Sequence, residues 1–173
     1  MSRTVPCACR GREFWVHDVC ASVLFATMAE AASEQSHGQP GEWAGELERE
    51  LRLAAVVGAD RAVNLDDWCA GHEQEFLALL AEAARRLAAR GRISAPQARA
   101  WRVLDDQPVI WRGQEHLDAQ PVTTLADALA GLIRGTYPDP PDGTWWYFGH
   151  PDGPRTLTKA APRDHVTIDH DDL

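Results

Sequence analysis

Lysine is nearly missing from this chain. Of its 17 basic residues only Lys159 is a lysine, and they stand against 26 acids in 173 residues. The formal net charge of −9 offers phosphates no general basic face, so nucleic acid is not an expected partner. An acidic surface keeps a protein in solution and steers a basic partner toward it. The preference for arginine also suits a GC-rich bacterial genome, as an association of composition only.

Cysteine is scarce as well. Cys7, Cys9, Cys20 and Cys69 are too few for a disulfide scaffold at this length and read as free thiols or metal ligands. No apolar run reaches the roughly 18 residues of a membrane-spanning helix. Arg3, Arg10 and Arg12 precede VCASVLFATM, but Glu13 and Asp18 interrupt the approach and Cys, Ser and Thr dilute the apolar stretch. The pattern fits a secretory signal less well than the start of a folded domain, and the expected location is cytoplasmic.

Several signatures of chemistry are absent too. There is no phosphate-binding glycine loop, no GxSxG elbow and no CxxC. HEQEF at 72–76 opens like the helix of a zinc protease, but Phe76 stands where the second His belongs. Without His at both i and i+4 that reading fails. Adjacent acids (Asp66 with Asp67, Asp105 with Asp106) diverge on a helix or strand, so no doublet makes a catalytic pair by spacing. An enzyme is not advertised.

What remains is an ordinary globular composition, 45% apolar and 25% charged. It fits a single domain over 1–163, with a helical half at about 13–91, a mixed half at about 92–160 and an acidic tail, 164–173. Val16, Val19, Cys20, Val23, Leu24 and Met28 make a helical stripe beginning near Glu13. EWAGELERELRLAAVV forms a second helix that Gly58 closes. A third runs unbroken from an Asn64 N-cap to Gly91, with Leu65, Cys69, His72, Phe76, Leu80, Ala83 and Leu87 on its core seam.

After Gly91 the pattern changes. Ser94 with Pro96 opens a short helix, DDQP turns, VIWRGQ reads as strand, and Thr124 caps LADALAGLIR. TWWYFGH is the strongest strand, and RTLT returns beside it after PDGP. Helices first and strands later predict an α+β fold: N-terminal helices on a small, mostly antiparallel sheet, with one further helix.

Two constellations carry functional expectations. His17 with Cys20, and Cys69 with His72, are each three apart, so two helices could each present a His/Cys pair to a structural zinc, with Cys7 and Cys9 as alternative ligands. The plainer reading makes all four core packing and needs no cofactor. The second constellation is aromatic: Trp111, Arg112, Trp145, Trp146 and Tyr147, rimmed by acids, form a candidate contact surface for another protein. The leading expectation is protein binding, with an immunity or inhibitor protein for a basic partner as its concrete form. A homodimer through the aromatic face is also compatible with this pattern.

Overall fold

In a computed structural model, which describes residues 4–35, 41–58 and 61–159, the chain opens as a β-hairpin rather than a helix. TVPCAC (β1, Thr4–Cys9) and REFWVH (β2, Arg12–His17) pair antiparallel and alternate buried with partly exposed side chains. That period of two is a strand's. The first helix, α1, begins at Asp18 and ends at Gln35. Its residues are buried nearly all round from Asp18 to Ala32, which makes it the central helix of the core rather than an amphipathic one. Its polar side chains are answered internally: the Ser22 hydroxyl donates to Ala55 O and accepts from the Ile110 amide, and Thr27 donates to Val23 O.

The second helix, α2 (Glu42–Val57), runs as expected and buries Leu47, Leu51 and Ala54 against α1 before Gly58 stops it. The third does not run unbroken. Val63–Asn64 is a short strand (β3), Leu65–Cys69 a short helix (α3) and Glu73–Arg90 a separate helix (α4). Asn64 caps α3 by accepting from the Asp66 amide. The break falls at Gly71, whose φ of +74° lies where only glycine sits without strain. Cys69 and His72 therefore do not share one buried helical seam: Cys69 ends α3 and half-exposed His72 caps α4.

Next come β4 (Arg92–Ser94), α5 (Ala95–Ala100), β5 (Arg102–Leu104) and β6 (Gln107–Pro108). Ser94 and Gln97 form a reciprocal capping box with Pro96 in the first turn, as the sequence suggests. VIWRGQ, expected as strand, is irregular past Pro108. Its backbone is committed elsewhere, since the Ile110 amide donates to Ser22 Oγ at 2.8 Å.

β7 (His116–Asp118) leads into α6 (Ala119–Arg134), which starts ahead of the expected Thr124 cap. Pro121 lies in its first turn, where a missing N–H costs nothing. β8 (Thr144–Phe148) and β9 (Arg155–Thr158) form the expected antiparallel hairpin.

The main sheet has the order β3-β1-β2-β8-β9. Its two hairpins are antiparallel, while β3 joins β1 and β8 joins β2 in parallel. The fold is α+β. Helices α1, α4 and α6 pack together over the sheet face that carries Val5, Cys7, Phe14, Val16 and Phe148. No described helix is long and apolar enough to cross a membrane. The acidic tail expected at 164–173 lies outside the described residues.

Candidate functional site

The register of the hairpins decides which side chains share a face. Pro6, Trp15, Tyr147 and Arg155 stand opposite one another in a row across four strands. The next row on the other face runs Cys7, Phe14, Trp146 and Thr156. Since Cys7 and Phe14 are core residues, Trp146 faces inward and Trp15 and Tyr147 face outward. Trp145, directly opposite Leu157, shares the outward face.

This divides the predicted aromatic surface. Trp146 stacks on Phe148 with ring centroids 6.0 Å apart, meets Tyr137 edge-on and donates its indole N–H to Pro138 O. Trp111 packs on the core and donates to Gln114 O at 2.7 Å. Arg112 serves a buried acid: its Nε lies 2.9 Å from Oδ2 of Asp18, which is fully buried. The N–H is not aimed along that contact, so the link is an ion pair rather than a directional hydrogen bond. Only Trp145 and Tyr147 of the five remain together on one face.

That outer face carries residues the sequence reading passed over. Trp15 meets Trp145 edge-on at 6.1 Å, and Lys159 Nζ lies 5.5 Å from the Trp145 ring centre. Leu157, 37% exposed, is the exposed large hydrophobic residue among those described. Beside Trp15 a groove of about 390 Å³ is lined by Pro6, Ala8, Glu13, Val63 and Asn64. Glu13, which is exposed there, makes no ion pair among the described residues. The alternation in REFWVH was the signal for Trp15, hidden by the helical stripe that begins inside it.

The four candidate zinc ligands lie at opposite ends of the first hairpin. His17 and Cys20 stand where β2 enters α1, whereas Cys69 lies beside the far end, near Cys9. Six residues of strand separate the ends by about 20 Å. Among the described residues no group of three or more His, Cys, Asp or Glu is placed to hold a metal ion.

At the first end, the Cys20 thiol donates to Gly149 O at 3.1 Å and is pushed up to about 12, by burial first and then by Asp18. It is not a ready nucleophile at neutral pH. His17 Nδ1 is buried without a hydrogen-bond partner, 4.0 Å from Asp18 Oδ1. Loss of water holds its pKa below the ordinary value; Asp18 opposes that shift and His150 adds to it. At the other end, Cys9, Arg10, Asp66, Cys69 and Glu73 line a cleft of about 500 Å³. His72 turns away to stack on Trp43, with centroids 4.3 Å apart.

The fold and its faces define an α+β protein with a sheet covered by helices on one side and aromatic on the other. No known protein family, curated protein or solved structure matches the chain.

Proposed function

We propose that this protein works by binding another protein, which docks on the outer face of the five-stranded sheet. The observation that carries the reading is the partly exposed cluster of Trp15, Trp145 and Tyr147 beside an apolar groove. Aromatic anchors surrounded by a polar rim are what concentrate binding energy at protein interfaces. Glu13 at the groove and the net charge of −9 favour a basic partner that brings an apolar side chain to the groove. An inhibitor or immunity protein that neutralises such a partner is the concrete form.

The test compares capture of the partner by the wild-type chain with capture by Trp15→Ala and Glu13→Arg, each checked for an unchanged circular dichroism spectrum. Capture alone decides nothing; its loss does. Removing an aromatic hot spot costs about 2 kcal/mol or more, roughly thirtyfold in affinity. Equal affinity in wild type and both variants overturns the assignment. A wild-type chain that sediments as a dimer, and becomes monomeric on Trp15→Ala, also overturns it and makes a second copy the occupant.

A further inference from the structure

Cys9 and Cys69 lie sixty positions apart in sequence and line the same cleft. The parallel pairing of β1 with β3, Cys7 beside Val63 and Ala8 beside Asn64, brings the start of α3 alongside the end of β1. Asp66 joins them: its carboxylate accepts the Arg10 amide at 3.0 and 2.8 Å and the Cys9 thiol at 3.8 Å. Asp66 and Cys69 are three residues apart in α3, so they share a helix face with Cβ atoms about 5–6 Å apart. One turn beyond the partner of Cys9 stands Cys69. Cys9 is buried and Cys69 half-exposed, so a small reagent reaches Cys69 first.

We infer that Cys9 and Cys69 are a dithiol–disulfide site, oxidised through the cleft by a low-molecular-weight disulfide such as glutathione disulfide. The Cys69 thiolate attacks one sulfur of the reagent, forming a mixed disulfide and releasing one glutathione thiolate. Cys9 then gives up its proton and attacks the Cys69 sulfur, expelling the second glutathione. Two protein thiols lose two electrons and two protons, and one small disulfide becomes two thiols.

The other two cysteines are poorly placed for this. Cys7 donates to Val5 O within the core, and Cys20 is held against Gly149 O at the opposite end of the hairpin. The site is slow by construction. Burial above all pushes Cys9 up to about 11, with Asp66 adding to it, and pushes Cys69 up to about 12, with Cys9 and Glu73 adding. Thiolate is therefore scarce at neutral pH, and cross-linking quickens about tenfold per pH unit. The product is a covalent clamp of α3 onto β1. That clamp matters because β3 pairs with β1 over only two residues.

The full chain is incubated with glutathione disulfide at about pH 8.5, where thiolate is less scarce, and digested with trypsin. The expected product joins peptide 4–10, which carries Cys7 and Cys9, to peptide 62–85, which carries Cys69, with fragmentation placing the bond at Cys9. The thermal midpoint rises by about 5–15 °C. Cys9→Ser and Cys69→Ser each abolish both the linked peptide and the rise. Three results overturn the inference: glutathione retained on Cys69 without a cross-link, a link at Cys7, or a midpoint rise that persists in Cys69→Ser.

Discussion

Trp145 and Trp146 are neighbours in β8 with their rings on opposite faces of the sheet: Trp145 meets Trp15 outside, and Trp146 stacks on Phe148 inside. The same substitution at the two positions should therefore have opposite consequences. Trp146→Ala removes core contacts and one indole hydrogen bond. It should cost about 2–4 kcal/mol, less than a fully buried tryptophan because the ring is partly exposed. Trp145→Ala should change stability by about 1 kcal/mol or less and weaken partner capture. Urea denaturation of both variants checks the first half, and capture by refolded Trp145→Ala checks the second.

The ion pair between Arg112 and Asp18 predicts an asymmetric pair of mutants. Asp18 is fully buried, and its other oxygen already accepts the Val19 amide at 2.8 Å. Arg112→Ala leaves that carboxylate without its counter-charge. The cost should be about 2–3 kcal/mol, reduced from a fully buried pair because the arginine is partly solvated. Adding Asp18→Asn to Arg112→Ala should recover part of the loss. Denaturation midpoints for the two variants test this, and a double variant no better than the single one contradicts it.

Much of this architecture was legible in the sequence, and the parts that were not have physical causes. The α2 helix showed itself through Leu47 and Leu51 among charges, and the β8–β9 hairpin through TWWYF followed by PDG. The first hairpin was hidden because Val16 satisfies both a strand's alternation and the stripe of the helix that follows. The break at Gly71 was hidden because Cys69, His72 and Phe76 keep helical spacing across it. For the site, the sequence grouped Trp145 with Trp146 on one surface, and the pairing of β8 with β2 and β9 parts them. Which face the helices cover depends on long-range packing of α1 and α6, and no local pattern records that. Cys9 meets Asp66 only through the pairing of β1 with β3.

His17 makes a prediction about pH. Its pKa is held below the ordinary 6.5, so the unfolded chain binds the proton more readily than the folded one. The neutral ring's contribution is intact above about pH 6.5 and is lost progressively as pH falls below it. Asp18 and His150 are the ionisable side chains that act on it, and Arg112 is the fixed cation beside Asp18. Urea midpoints measured from about pH 7.5 down to 5.5 should fall in the wild type and flatten in His17→Gln. Parallel curves for the two proteins would assign the slope to other groups.

Gly149 follows β8 at the end of the sheet where β2 enters α1, and its backbone leaves no room for a side chain. Its φ is +82°, and a Cβ there would lie 2.9 Å from Cβ of Cys20 and 3.1 Å from Cβ of His17. Neither neighbour yields easily. Cys20 sits in the central helix with its thiol bonded to Gly149 O, and His17 is fixed at the end of β2. Gly149→Ala therefore combines backbone strain with overpacking and should cost about 2–4 kcal/mol. The separation of those causes is measurable. Cys20→Ala in the Gly149→Ala background removes Sγ, 3.3 Å from the new methyl, but keeps the closer Cβ and the positive φ. Most of the loss should persist in the double variant. Full recovery would mean that the thiol, rather than the backbone, sets the approach of β8 to α1.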